Sequence, residues 1–187
     1  MSERNLVLTG PPGAGKGTQA ARLALRLGIP QISTGEILRE EKASGSELGK
    51  RMAALMAKGE LVPDSIVIEI VRERIARGDC KGGFILDGFP RTAAQAKALD
   101  RLLEEQGRDP LVVVALEVPE QELVRRILSR GEGRPDDNEE SVKRRLEVYH
   151  GETAPILQHY SGSLVRIDGV GDIDDVESWI AGALGVA

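Results

Sequence analysis

The chain contains a single cysteine, Cys80, among its 187 residues. No intrachain disulfide can form, and one thiol cannot build a cysteine-based zinc site. Histidine is nearly as scarce. His150 and His159 are the two present, at a spacing that matches no zinc-ligand pattern, so no zinc is expected. Aromatic residues make up 3% of the chain, too few for the stacking platform of a single-strand nucleic-acid binder. Basic charge is not in excess: the net charge is −5, whereas a nucleic-acid partner calls for a basic face. No apolar run is long enough to cross a bilayer, and the first residues show no secretory h-region. No coiled-coil pattern is present. The expectation is a monomer of the reducing cytoplasm with neither nucleic-acid nor membrane partners. Trp179, the one tryptophan, sits in a C-terminal helical pattern and is expected to pack rather than act.

What is present is an ordinary globular composition, 41% apolar and 29% charged. The length predicts one domain over 1–187 with a full core and room for inserted lobes. Apolar, β-branched runs at 6–8, 29–32, 84–86, 111–118 and 164–167 read as strands. Helical patterns cover 16–27, 36–42, 47–58, 64–77, 93–105, 120–130, 139–149 and 173–184. Gly28 is placed to end the first helix, and Asp64 reads as an N-cap. Strands alternating with helices predict an α/β fold with a parallel sheet covered on both faces. Two stretches fall outside the alternation, 33–63 and 130–138, and both are expected to form mobile lobes over a phosphate site.

That site is announced by Gly10-Pro11-Pro12-Gly13-Ala14-Gly15-Lys16-Gly17-Thr18-Gln19, which lies between the first strand and the first helix. Gly10 to Lys16 fits G-x-x-x-x-G-K, the phosphate-binding loop. Glycines let backbone N–H groups converge on a phosphate with no side chain in the way, and the helix adds its unpaired N–H groups and dipole. Lys16 supplies a compact cation for the β and γ phosphates. One detail departs from the usual pattern: the hydroxyl stands at Thr18, one place late, after Gly17.

Asp87 closes the third apolar run. A carboxylate at the carboxyl end of a parallel strand, beside a phosphate loop, can hold Mg²⁺ or its water shell, or can cap the next turn. In Asp87-Gly88-Phe89-Pro90-Arg91 a guanidinium follows a tight turn, where a cis bond before Pro90 is conceivable. Arg91 is suited to a bidentate phosphate contact. Ser33-Thr34-Gly35-Glu36 and Thr92-Ala93-Ala94-Gln95 both fit the capping-box pattern, so Thr34 and Gln95 read by pattern as helix-start residues. That role is compatible with base recognition for Thr34 and competes with it for Gln95. Arg125, Arg126, Arg130, Arg134, Arg144 and Arg145 are interleaved with acids. They read either as a salt-bridged helical surface or as the arginines of a phosphoryl-transfer site.

Taken in order, these segments resemble one family over almost the whole chain. The loop from Gly10, Ser-Thr-Gly-Glu from Ser33, Gly-Glu-Leu-Val-Pro-Asp from Gly59, Leu-Asp-Gly-Phe-Pro-Arg from Leu86 and Gly-Arg-Pro-Asp-Asp-Asn from Gly133 are similar to adenylate kinase. The Lys-Gly-Thr ending of the loop is also what that family shows. The resemblance implies a P-loop three-layer αβα fold with a five-stranded parallel sheet. It also implies a nucleoside-monophosphate lobe at 33–62 and a short, metal-free lid at 130–138. The implied reaction is ATP + AMP ⇌ 2 ADP with Mg²⁺.

The resemblance also assigns roles. Gly13, Ala14, Gly15, Lys16, Gly17 and Thr18 would wrap the ATP phosphates. Arg126 and Arg130 would lie around ATP, and Gly171 would lie against its base. Thr34 and Arg39 would line the AMP site, with Arg39 on its phosphate. Glu60, Leu61 and Val62 would meet the AMP base and ribose. Gly88, Phe89, Pro90 and Arg91 would face AMP, with Arg91 on its phosphate, and Gln95 would hydrogen-bond the adenine edge. Arg134 and Arg145 would bridge both nucleotides, and Asp87 would hold water of the Mg²⁺ shell without ligating the ion directly. Two rivals remain from the sequence: a UMP/CMP kinase on the same fold, which Thr34 and Gln95 disfavour, and a nucleotide-dependent switch, which leaves Arg39, Arg91 and Gln95 without a task.

Overall fold

A computed structural model describes residues 3–44, 46–58, 60–129 and 138–186. Five strands form one parallel sheet: β1 (Arg4–Thr9), β2 (Gln31–Ser33), β3 (Gly83–Asp87), β4 (Leu111–Glu117) and β5 (Leu164–Asp168). Their order across the sheet is β2-β3-β1-β4-β5. β1 is central, with Leu8 level with Asp87 on one side and with Val114 on the other. The chain that leaves β1 therefore emerges at the carboxyl edge between β3 and β4, the edge at which open α/β sheets form their crevices.

The helices are α1 (Lys16–Leu27), α2 (Thr34–Ala43), α3 (Glu47–Ala57), α4 (Asp64–Ile75), α5 (Ala93–Glu105), α6 (Glu120–Leu128), α7 (Glu139–Val148), α8 (Ile156–His159) and α9 (Ile173–Ala183). Because successive strand residues face opposite sides of a sheet, the apolar strands feed two cores. Val7, Ile32, Phe84, Leu86 and Val113 pack with Val71 and Ile75 of α4 and with Ala96 and Leu99 of α5. On the other face Leu6, Leu8, Ile85, Val114 and Leu116 pack with Ala20 and Leu23 of α1, Leu123 and Ile127 of α6, and Ile180 of α9. Each fully buried aliphatic side chain contributes about 1.5–3 kcal/mol relative to exposure. The two cores together are what hold the carboxyl edge of the sheet rigid.

Most boundaries follow the expected pattern, and Gly28 ends α1 with φ 66° as its position predicts. Three differences matter. α4 begins at Asp64 itself, with Pro63 as N-cap, so Asp64 does not cap its own helix. The helix expected to end near residue 149 runs into a π-helical turn, Tyr149–Thr153. A short helix, α8, follows it, four residues with no room for a periodic signal. The stretch assigned to the monophosphate lobe contains α2, α3 and the segment up to Val62. Of the stretch assigned to the lid, only Asn138 is among the described residues, where it caps α7 by accepting from the Ser141 backbone N–H at 3.0 Å.

Candidate active site

The loop after β1 takes its shape from its glycines. Gly10, Gly13 and Gly15 have φ of 145°, 85° and 92°, values that L side chains rarely adopt. Gly13 is also wedged against α6: a β-carbon there would stand 2.9 Å from Ile127 Cγ1 and 3.0 Å from the Leu123 carbonyl oxygen. Gly15 is the N-cap of α1 and makes no side-chain cap, so the first N–H groups of that helix face the loop without a side-chain acceptor. Lys16 folds back along the loop and donates through Nζ to the Gly10 and Pro11 carbonyls at 2.8 and 2.9 Å.

Asp87 ends β3 beside this loop and is 9% exposed. Its Oδ2 would lie 3.4 Å from a β-carbon on Gly17, so the carboxylate faces the start of α1. Gly88 follows with φ 81°, and the Phe89–Pro90 peptide is cis. Arg91 is then fastened from several sides. Its N–H donates to Gln95 Oε1 at 2.8 Å, its carbonyl accepts from Thr153 Oγ1 at 3.0 Å, and its Nε donates to the Gly88 carbonyl at 2.7 Å. Burial holds the Arg91 guanidinium below its ordinary pKa. Asp87 opposes that shift, while Arg145 and Arg39 add to it. Three guanidiniums from three separate parts of the chain therefore converge, and those of Arg39 and Arg145 raise the cost of charge on Arg91. Such a cluster favours a polyanion in its midst.

Around the arginines lies a cavity lined by Thr34, Gly35, Leu38, Arg39, Met56, Glu60, Leu61, Val62, Val67, Gly88, Arg91, Gln95 and Arg145. It joins charge at one end to apolar walls at the other, as a nucleoside monophosphate requires. Thr34 is 1% exposed and donates through its hydroxyl to the Gly88 carbonyl at 2.9 Å, which ties α2 to the turn after β3. Gln95 is 2% exposed. The Gln95 backbone N–H donates to Thr92 Oγ1 at 3.2 Å, and its side chain lines the cavity. The contact to the cap residue is thus made by the Gln95 backbone, which leaves the side chain on the cavity wall. A contiguous cleft, with Lys16, Gly88, Phe89, Pro90, Arg91, Arg145 and Tyr149 on its walls, joins this cavity to the loop.

A third cavity opens on the far side of the loop, lined by Gly13, Ala14, Gly15, Thr18, Gln19, Glu122, Arg126, Gly169, Gly171 and Ile173 among others. Arg126 donates through Nε to Glu122 Oε1 at 2.7 Å, one helical turn back. Hydrogen bonds from Arg125 and Arg126 pull the Glu122 carboxyl down to a pKa of about 2. Gln19 of α1 reaches across to donate to the Ile173 carbonyl at 2.9 Å. Gly171 lies against the indole of Trp179, which stays 44% exposed: a β-carbon on Gly171 would meet Trp179 Cη2 at 3.0 Å.

The structure places the expected residues along adjoining cavities, except Gly17 and Asp87, which line none of the three, and Arg130 and Arg134, which lie outside the described residues. Sequence reasoning passed over Leu38, Met56 and Val67, the apolar wall of the arginine cavity, whose helical spacing marks them as apolar but not as facing a ligand. It also passed over Glu122, although the i,i+4 spacing to Arg126 was a usable signal, and over Thr153, whose π-helical turn carries no periodic signature. Among the described residues no group of three or more His, Cys, Asp or Glu comes together in the manner of a metal cage, and no helix is long and apolar enough to cross a membrane.

The chain is similar to known proteins over nearly its whole length. The family model described as adenylate kinase matches residues 8–164. The chain is 54% identical over 185 residues to the adenylate kinase of Thermus thermophilus, covering 97% of each. It is 50% identical over 184 residues to that of Maricaulis maris, covering 96% of this chain and 98% of the relative. Against the adenylate kinase of Xanthomonas campestris pv. campestris it is 52% identical over 184 residues, with 96% and 98% covered.

Proposed function

The chain belongs to the adenylate kinase family and transfers a phosphoryl group reversibly between ATP and AMP, and on that premise we propose which of its residues carry the transfer. ATP takes the cavity beside α6 and AMP takes the arginine cavity. The two nucleotides meet end to end over Lys16. The observation that carries this reading is the convergence of Arg39, Arg91 and Arg145 on a cavity that also has apolar walls (Leu38, Met56, Val62, Val67), next to a phosphate-binding loop. A hydrolytic switch has no use for that second pocket.

Phosphoryl transfer asks little covalent chemistry of a protein. It needs in-line alignment and positive charge on the equatorial oxygens. Backbone N–H groups of Gly13, Ala14, Gly15, Lys16, Gly17 and Thr18 cradle the ATP phosphates, and Lys16 swings from the Gly10 and Pro11 carbonyls onto the transferring group. Arg126 and Arg130 hold ATP, with Gly171 against its base. Arg39 and Arg91 grip the AMP phosphate. Arg134 and Arg145 span the two nucleotides. Thr34, Glu60, Leu61, Val62 and Gln95 enclose the AMP base and ribose. No general base is required, and water is kept out by closing 33–62 and 130–138 over the nucleotides.

Mg²⁺ belongs with the ATP. It prefers oxygen ligands, keeps several waters and is seldom caged by protein alone. Asp87 fits it: a nearly buried carboxylate facing Gly17 at the mouth of the loop. When bound, the ion would supply positive charge to the ATP phosphates. Asp87 would be the residue that holds the ion through its water shell, and it also faces the positive field of Arg91. The protein works as a cytoplasmic monomer without zinc or nucleic acid.

The test is an acceptor panel with Mg-ATP and AMP, CMP, UMP or GMP. ADP is expected from AMP, with the other three poor acceptors. Preference for CMP or UMP would shift the reading to a pyrimidine enzyme. Protein that binds ATP and leaves an ATP/AMP mixture untouched would overturn it.

A further inference from the structure

The Gly-Glu-Leu-Val-Pro-Asp segment ends in a residue that the reaction does not use. Asp64 is not among the residues that line the arginine cavity; it stands behind Gln95, at the first position of α4. Its two carboxylate oxygens are committed to α5. Oδ2 accepts from Thr92 Oγ1 at 2.8 Å, and Oδ1 accepts from Gln95 Nε2 at 2.7 Å. The other end of the Gln95 amide, Oε1, accepts from the Arg91 backbone N–H at 2.8 Å.

We propose that Asp64 is a positioning residue that locks the Gln95 amide in one orientation and thereby makes the acceptor site prefer a 6-aminopurine over a 6-oxopurine. This rests on the reading of Gln95 as the residue that meets the acceptor base. The side-chain amide of glutamine is nearly symmetric in shape, and only its hydrogen-bond partners decide which end is oxygen. Turning it over here would set Nε2–H against the Arg91 N–H and set Oε1 against the Asp64 carboxylate. Gln95 is 2% exposed, so bulk water cannot repair either mismatch.

The lock leaves one N–H on Nε2 and one lone pair on Oε1 for a ligand. A 6-aminopurine offers an acceptor at N1 and a donor at its amino group, complementary to that pair. A 6-oxopurine offers a donor at N1 and an acceptor at O6, which needs the amide reversed. A glutamine able to turn over serves both. A glutamine fixed by Asp64 on one side and Arg91 on the other serves one, and leaves buried polar atoms mismatched against the other.

The test compares kcat/KM for AMP and for IMP in wild type, Asp64→Ala, Asp64→Asn, Gln95→Ala and the Asp64→Ala/Gln95→Ala double variant. Asp64→Ala is expected to lower the AMP/IMP ratio about tenfold and raise KM for AMP, with KM for ATP unchanged. Asp64→Asn loses the same charge at the start of α4 but keeps an acceptor oxygen, and is expected to hold the ratio within about threefold of wild type. Adding Asp64→Ala to Gln95→Ala is expected to change the ratio no further. A wild-type ratio in Asp64→Ala, an equal loss in Asp64→Asn, or full additivity in the double variant overturns the proposal. Should Asp64→Ala fail to fold, Asp64→Glu, whose carboxylate is displaced by a methylene, takes its place with an intermediate fall expected and an unchanged ratio fatal. A wild type that makes no ADP overturns the parent reading and this one with it; an active wild type with an unchanged ratio in the variants overturns this one alone.

Discussion

Lys16 occupies two roles that the same ammonium cannot fill at once. In this structure it holds the loop together by donating to Gly10 and Pro11. In the reacting complex of the proposed mechanism it leaves those carbonyls for a phosphate that carries more charge than either. The carbonyls it leaves belong to its own loop, at the buried residues Gly10 and Pro11, so a modest loss in folding is expected, on the scale of a hydrogen bond. The transferring phosphoryl group has no comparable substitute. Lys16→Met is therefore expected to lower kcat by about 10²–10³-fold, the scale of removing one preorganised charge or donor from a transition state. The melting temperature is expected to fall by no more than about 5 °C, roughly the effect of one modest hydrogen-bond loss in a chain of this size. Parallel loss of activity and fold in a thermal melt and a coupled ADP assay would contradict this.

At the scale of elements, α6 acts as the wall on which the phosphate loop leans. Gly13 sits so close to Ile127 and to the Leu123 carbonyl that even a methyl group must displace the loop, and its φ of 85° adds strain for any L residue. Gly13→Ala is expected to cost about 1–3 kcal/mol in equilibrium unfolding and to weaken ATP binding while AMP binding persists. Equal loss for both nucleotides in calorimetry would show that the loop and α6 are not separately coupled to ATP.

The same helix carries a pH signature. Arg125 and Arg126 hold the Glu122 carboxyl at about 2, below its ordinary value of 4.5. A depressed carboxyl stabilises the fold fully above its unfolded value and loses that contribution as pH falls through its folded value. The stability gap between wild type and Glu122→Gln is expected to be constant above about pH 4.5 and to close as pH falls toward about 2. Denaturant midpoints across that range measure it; a gap that persists at the acid end would break the link.

Much of this was legible beforehand, and the reasons differ by element. The strands and the long helices declare themselves because burial on fixed faces imposes a period on the sequence. The loop from Gly10 declares itself because its glycines and lysine answer local geometry. Asp64 shows the limit: its pattern is that of a helix cap, yet its partners, Thr92 and Gln95, lie on another helix. Nothing in the local sequence could reveal that. Likewise Arg39, Arg91 and Arg145 look like surface arginines one at a time, and only the tertiary fold, or a family likeness, brings them together.

For the molecule as a whole, that meeting of three cations has a mechanical consequence. Arg39 rides on α2, in the stretch 34–62, whereas Arg91 follows β3 and Arg145 rides on α7. Burial is the main reason the Arg91 pKa lies below its ordinary value; Asp87 opposes that shift, and Arg145 and Arg39 add to it. A phosphate reverses the sign of the interaction and draws α2 toward the sheet. Closure is thus favoured most when the site is full, and the ADP products inherit the same grip as the substrates. Opening must then break several charge-assisted contacts before product can leave, which places the slow step after chemistry. Rapid mixing of the protein with Mg-ATP and AMP is expected to give a burst of ADP in the first turnover, followed by a slower steady rate. Added salt is expected to raise that steady rate while raising KM for AMP, since screening weakens the grip on both substrate and product. ADP that accumulates linearly from the first turnover would mean that transfer itself is limiting, and the coupling of the arginine cluster to lobe opening would fall with it.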